Sequence, residues 1–269
     1  MLITSNTQEF RAGNIAFVPT MGALHKGHAS LINQARQLGE KVVVSIFVNP
    51  LQFENKSDLE KYPSTPEMDA EIAESAGADV LWLPTTSDIY PGEIKTVEPS
   101  PIGNIFEGES RPAHFQGVLT VVKRLFDLVQ PHWAIFGEKD YQQLFLIQQM
   151  VRELQIPVSV VPGETIRDLD GLAISSRNVR LSEQDRNAAL VISRALNSAR
   201  GMQTLSAKQE ALDEALFSEP LFRRDYACII DEATFELASE TTVSKRALVA
   251  GWVNGVRLID NMPMKVSAQ

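Results

Sequence analysis

Val18 to Arg36 reads VPTMGALHKGHASLINQAR. Before it stands an apolar, strand-like run, Ile15-Ala16-Phe17-Val18, which Pro19 is expected to stop. After it, Leu31, Ile32, Ala35 and Leu38 recur on one helical face, and Gly39 suits the position just past a helix end. Between strand and helix lie Gly22, His25, Gly27 and His28. In an open α/β sheet, ligands bind beyond the carboxyl ends of the strands. Glycine there lets backbone approach a ligand, and a helix N-terminus offers N–H groups and a positive dipole end. Two imidazoles at that mouth add directed donors for phosphate oxygens. The competing reading is a glycine turn whose histidines cap the helix or face water. A P-loop is excluded, because His28-Ala29 follows Gly27 where Lys-Ser/Thr would stand.

The same strand-to-helix rhythm continues outward from this stretch. Val42–Val48 is apolar and β-branched, as a strand buried on both faces should be. Thr65-Pro66-Glu67 opens a helix that Gly77 ends. Val80–Leu83 reads as a strand, Val118–Val129 as a helix closed by Pro131, and Trp133–Phe136 as a strand. Tyr141–Leu154 reads as a helix and Val158–Val161 as a further strand. Five such alternations predict an α/β, Rossmann-type, doubly wound parallel sheet. The rhythm changes near residues 171–180. Ser182-Glu183-Gln184-Asp185 caps a long helix through Ala199, and Tyr226–Asp231, Arg246–Val253 and Val256–Ile259 read as strands. Two domains follow, 1–174 and a smaller α+β domain, 175–269.

With 269 residues, 44% of them hydrophobic, the chain can bury a core in each. The formal net charge of −9 argues against nucleic acid or an anionic membrane as partner. It leaves room for a small anion held by local donors. A lone cysteine, Cys228, permits no intrachain disulfide and reads as a buried hydrophobe. The N-terminus lacks a basic region and a long apolar run, so a soluble cytoplasmic protein is the expectation.

Four further segments carry chemistry. FGEKDYQQ, Phe136 to Gln143, sits at a strand-to-helix junction: Lys139 could neutralise a phosphate, and Asp140 could hold a ribose hydroxyl or a metal ion. A surface Lys-Asp pair is the alternative. ISSRNVRLS, Ile174 to Ser182, gathers two serines and an arginine, an anion-binding set or a polar loop. In VNPLQF, Val48 to Phe53, Asn49 and Gln52 set neutral amides beside Leu51 and Phe53, which suits a hydroxylated aliphatic ligand. SRPAHFQGV, Ser110 to Val118, places Arg111, His114 and Gly117 ahead of a helix, as a second anion loop or as ordinary helix-start chemistry. His132 reads as structural.

In these blocks and their order the chain resembles the pantothenate synthetase family of the HIGH-motif nucleotidyltransferase superfamily, related to class I aminoacyl-tRNA synthetases. Pro19–His28 is similar to the HIGH-like signature and Phe47–Phe53 to the substrate loop. Arg111–Phe115, Gly137–Asp140, Ile174–Asn178 and the RLIDN of Arg257–Asn261 match further family blocks. Glu54–Asp58 departs from the glycine-proline turn expected there.

The resemblance implies a ligase: ATP and pantoate give pantoyl adenylate and pyrophosphate, then the amine of β-alanine displaces AMP to form pantothenate. It implies Mg²⁺ accompanying ATP, a homodimer, and a lid role for the C-terminal domain. By resemblance, ATP is bound by Met21, Gly22, Ala23, Leu24, His25, Lys26, Gly27, His28, Gly137, Glu138, Lys139, Asp140, Ile166, Ile174, Ser175, Ser176 and Arg177. Gln52 and Gln143 bind pantoate, Gln52 also lies near β-alanine, and Asn49 joins them as a substrate residue. His28 takes the family's proton-donor position, with His25, Lys139 and Arg177 as further catalytic groups and Asp140 as a candidate Mg²⁺ ligand.

Overall fold

The structure, a computed structural model, describes residues 1–53, 59–60 and 62–264. The expected departure at Glu54–Asp58 lies outside the described residues. Two compact units are present, Met1–Glu164 and Thr165–Gln269. The division precedes the expected 174/175 boundary, so Ile166 and Ile174 belong to the second unit. A long-range contact ties this segment to the second unit. Arg167 and Ala173 pair across a tight hairpin, and the Arg167 guanidinium forks onto Asp260 at 2.6 and 2.9 Å.

The first unit is built on strands β1 (Leu2–Thr4), β2 (Ile15–Thr20), β3 (Lys41–Ile46), β4 (Val80–Trp82), β5 (Trp133–Gly137) and β6 (Ser159–Gly163). They form one sheet in the order β1-β4-β3-β2-β5-β6, with every pair parallel. Helices α1 (Lys26–Leu38), α2 (Pro66–Ser75), α3 (His114–Val129) and α4 (Tyr141–Glu153) cover it. Strand residues alternate between two faces. Ala16, Val18, Val42, Val44 and Leu81 pack with Ile32 and Ala35 of α1 and Ala73 of α2. Phe17, Val43, Val80 and Trp82 pack with Val118 and Val122 of α3 and Leu146 and Ile147 of α4. Burial on both faces explains the unbroken apolar run of β3.

Pro19 does not stop β2: the strand runs on to Thr20, in register with Ile46 of β3. The odd residues of β2 turn their backbone groups toward β5, as the Ile15 carbonyl does in accepting from the His132 N–H. The even ones face β3, as the Thr20 carbonyl does in accepting from the Phe47 N–H. Pairing with β5 ends at Phe17↔Ala134. Pro19 therefore stands on the side where β5 has already diverged, and its missing N–H costs no ladder bond. Gly39 follows α1 with φ −113°, so its backbone there is extended and not left-handed.

In the second unit, helices α5 (Glu183–Gly201) and α6 (Leu205–Phe217) pack with an antiparallel sheet of β7 (Phe222–Asp231), β8 (Lys245–Val253) and β9 (Val256–Pro263). Ser182 and Asp185 form the expected capping box of α5. Sequence periodicity passed over α6, because Lys208 lies on its buried side, 2% exposed. Its ammonium reaches the carbonyls of Ala199, Arg200 and Met202 at 3.3, 3.2 and 2.5 Å. A cation there satisfies end carbonyls of α5 and opposes the negative end of its dipole. Among the described residues, no helix is long and apolar enough to cross a membrane.

Lys208→Met keeps the aliphatic stem and strands those carbonyls. The expected loss is about 1–3 kcal/mol of unfolding free energy, read as a lower urea midpoint with unchanged m-value.

Candidate active site

With β1 set aside as an added edge, the order β4-β3-β2-β5-β6 reverses direction between β2 and β5. Crossovers from these strands leave toward opposite faces, which opens a crevice at their carboxyl ends. Two of the chemistry-bearing blocks sit there. Met21–His28 follows β2, and Glu138–Asp140 follows β5 as a single 3-10 turn leading into α4.

The turn after β2 passes through two left-handed residues, Gly22 at φ +85° and Ala23 at φ +50°. Two successive amides of this turn are occupied from within the protein. Asp69 of α2, 2% exposed, accepts from the N–H groups of Ala23 at 3.0 Å and Leu24 at 2.7 Å. Nothing in the local pattern had marked Asp69. It reads there as one more acid in the first turn of a helix.

His25 is the N-cap of α1. Its Nδ1 accepts from the Gly27 N–H at 3.1 Å, and the Nδ1 of His28 accepts from the His25 N–H at 3.3 Å. A Cβ on residue 27 would lie 2.9 Å from His25 Cε1, so glycine is what lets the ring fold over the first turn. The capping reading of the histidines is thus correct, and it complements the donor reading. With each Nδ1 accepting, the proton of each neutral ring resides on Nε2. The rings stack at 4.0 Å between centroids, inclined by 27°. Burial, then the positive charge of Lys139, lowers His25 to about 4. Burial, then the neighbouring His25, lowers His28 to about 3. Both are neutral N–H donors at physiological pH.

Lys139 and Asp140 act on both imidazoles, Lys139 lowering and Asp140 raising their affinity for protons. This places the two junctions in one electrostatic neighbourhood. Lys139 Nζ lies 4.0 Å from Asp140 Oδ2, with the lysine side chain 16% exposed and the aspartate side chain 49%.

Asn49, 1% exposed, has its amide fully committed. Its Nδ2 donates to Gln52 Oε1 at 3.2 Å and to the Gly117 carbonyl at 3.0 Å. Its Oδ1 accepts from the Leu51 N–H at 3.3 Å and the Tyr90 hydroxyl at 2.9 Å. No valence remains for a ligand, so Asn49 orients Gln52. Gln52 then donates from Nε2 to Met21 Sδ in the motif turn, at 3.1 Å. His114 supports the same residue. Its Nε2 faces Arg111 Nη1 at 3.0 Å, and because arginine only donates, Nδ1–H donates to the Gln52 carbonyl at 3.0 Å. Gln143 on α4 is half-buried. Its neighbour Gln142 is buried and bonds the Ile102 and Ile105 carbonyls at 2.7 and 2.8 Å.

The remaining expected residues lie in the second unit. Ile174 N–H donates to the Ile166 carbonyl at 3.0 Å. Ser175 caps the 3-10 turn Ser176–Arg180, its Oγ accepting from the Arg177 N–H at 3.3 Å. The RLIDN block has a structural task nearby: Asp260 takes Arg167, and Asn261 Oδ1 accepts from Arg246 Nη1 at 2.6 Å. Among the described residues, no cluster of three or more metal-ligating side chains occurs.

The depressed imidazole pKa values carry a sign. The unfolded chain takes up protons below about 6.5, while folded His25 and His28 resist until about 4 and 3. Stability is therefore full above the unfolded pKa and falls as pH drops toward 4. A His25→Gln/His28→Gln double variant is expected to flatten the decline in urea midpoint between neutral and mildly acidic pH.

A family model described as Pantoate-beta-alanine ligase matches residues 2–263. The pantothenate synthetase of Thermobifida fusca is 44% identical over 98% of this chain and 95% of its own length. That of Thermus thermophilus is 45% identical over 97% and 99%. A crystal structure of the Thermus thermophilus pantothenate synthetase superposes with a TM-score of 0.94 at 44% identity, covering 98% of this chain and 99% of that one. A pantoate-beta-alanine ligase from Francisella tularensis, complexed with beta-gamma ATP and beta-alanine, superposes at 0.83 with 38% identity, covering 99% of each chain. The chain belongs to the pantoate–beta-alanine ligase family.

Proposed function

We propose that this protein joins pantoate to β-alanine at the expense of ATP through a pantoyl adenylate, releasing pyrophosphate and then AMP. The observation that carries the reading is the pair of neutral imidazoles, each with its proton on Nε2, beside Lys139 at the strand-order reversal. The ATP and β-alanine bound by the Francisella relative support it.

Pantoate's carboxylate is ionised at neutral pH and needs no base to attack the α-phosphorus. The obstacle is charge, since an anion approaches an anion and the leaving pyrophosphate gathers more. Donors that tighten as that charge grows lower the barrier. His25 and His28 supply Nε2–H groups and Lys139 supplies an ammonium. His28, lowered to about 3 in the free protein, meets the substrate as a neutral ring that donates through Nε2–H. Gln52 presents its Nε2–H₂ to pantoate, and Gln143 adds a second amide. Ile166, Ile174, Ser175, Ser176 and Arg177 are assigned to ATP by family resemblance. In the second step the free amine of β-alanine attacks the acyl carbon, AMP departs with the electron pair of the cleaved C–O bond, and the new amide nitrogen gives up one proton to a phosphate oxygen of AMP.

The donor set fits Mg²⁺ carried in by ATP and not held in a protein cage. Asp140 is the one carboxylate assigned to it, and Mg²⁺ typically takes one or two carboxylates plus phosphates and waters. It would neutralise phosphate charge.

His28→Ala is expected to raise the barrier to adenylate formation by about 2.7–4 kcal/mol, measured as single-turnover pyrophosphate release. Equal rates in variant and parent would remove His28 from this role. Omitting each substrate in turn tests the whole scheme. Pyrophosphate release is expected to require pantoate and ATP, and free AMP to require β-alanine as well. AMP production without β-alanine, or none with all three, overturns the reading.

A further inference from the structure

We infer that Asp69 is a positioning residue for adenylate formation, acting through His25 and His28, an inference that rests on the assignment of those imidazoles to ATP. Consecutive N–H groups after left-handed residues form a concavity that attracts anions. Gly22 and Ala23 build one at the start of the motif turn. The Asp69 carboxylate fills it from beneath, one oxygen to each amide, Oδ2 to Ala23 at 3.0 Å and Oδ1 to Leu24 at 2.7 Å. The Thr65 hydroxyl donates to Oδ1 at 2.9 Å and steadies it. The α2 backbone bond from the Asp69 N–H to the Thr65 carbonyl, at 2.8 Å, places both residues on one turn.

Three consequences follow. The Ala23 and Leu24 amides are spent on Asp69, so neither is left for a phosphate, while the imidazole Nε2–H groups remain as donors. The left-handed conformation of Ala23, costly for a residue with a Cβ, is held by a charge-assisted bond on each side of the residue. Leu24 leads directly into His25, whose backbone N–H sets the His28 ring. A turn that relaxes therefore moves both rings together. Gly22 belongs to the same device, since a Cβ there would approach Asp69 Oδ2 and Ile46 Cγ2 to 3.1 Å each.

Asp69→Asn is a near-isosteric test: it swaps one acceptor for an NH₂ that opposes a backbone N–H. Ring ¹⁵N spectra of the free protein read the imidazoles without any substrate. The parent is expected to show the Nε2–H form at His25 and His28 with no titration between about pH 5 and 8. The variant is expected to show mixed tautomers at both rings, because the Nδ1 contacts that fix the proton on Nε2 are loosened. Single-turnover adenylate formation is expected to fall about 100-fold, the cost of a misplacement near 1 Å, with little change in KM for ATP.

Wild-type ring spectra in Asp69→Asn overturn the proposal, and so does an undiminished rate. Altered rings in a system where the parent protein forms no adenylate would instead indict the proposed reaction. Should Asp69→Asn fail to fold, Thr65→Val removes one donor and keeps the carboxylate. It is expected to perturb the same rings and slow the same step several-fold, and parental spectra and rate in the folded variant overturn the proposal equally.

Discussion

β2 and β5 hydrogen-bond only at their amino ends, through Ala16↔Trp133 and Phe17↔Ala134. The candidate site in the first unit depends on that short ladder. It is long enough to fix the two strands side by side and short enough to let their carboxyl ends part. The helices that follow pull apart in the same sense. Ile32 and Ala35 of α1 enter the core on one face, and Leu146 and Ile147 of α4 enter the core on the other. A proline at position 19 seals the separation, because the side of β2 facing the gap has no donor with which to close it.

The proposed reaction places a polyanion at that gap in a chain of net charge −9, and the donors there are local and conformationally fixed. Two imidazolium rings stacked at 4.0 Å would repel one another. Neutral rings avoid this, and pinning each Nδ1 to a backbone N–H commits the single remaining proton to Nε2. Lys139 contributes a full positive charge, and that charge further suppresses protonation of the rings. For the proposed reaction the arrangement is preorganised: the donors need not reorient as charge develops.

The sequence made much of this legible. Five sheet strands and the strand-turn-helix order at Val18–Arg36 follow from apolar runs and caps, which are local signals. What escaped shares one property, that its cause is distant in sequence. Leu2–Thr4 is too short for periodicity and becomes a strand only by pairing with β4. Helix α6 hides behind Lys208, whose acceptors lie outside its own helix. Pro19 looks like a stop until β5 is seen to have left its side. Asn49 reads as a ligand amide, and only its partners at Tyr90 and Gly117 reveal that it is spent. Arg167 answers to Asp260, 93 residues away, a partner that no local pattern shows.

The Asn49 network bears on the carboxylate substrate of the proposed reaction. A free glutamine side chain can flip and offer either its oxygen or its nitrogen. Gln52 is denied that choice. Burial pushes the Tyr90 phenol well above its usual range, so it keeps its proton and donates it to Asn49 Oδ1. The Leu51 N–H donates to the same oxygen and the Gly117 carbonyl accepts from Nδ2, which fixes Asn49's orientation. Asn49 then donates to Gln52 Oε1, and the NH₂ of Gln52 is what faces Met21. An ionised carboxylate has only acceptors, and a hydroxyl beside it can accept as well. Backbone groups of two separate segments thus decide, through two amides, that this edge of the crevice presents donors.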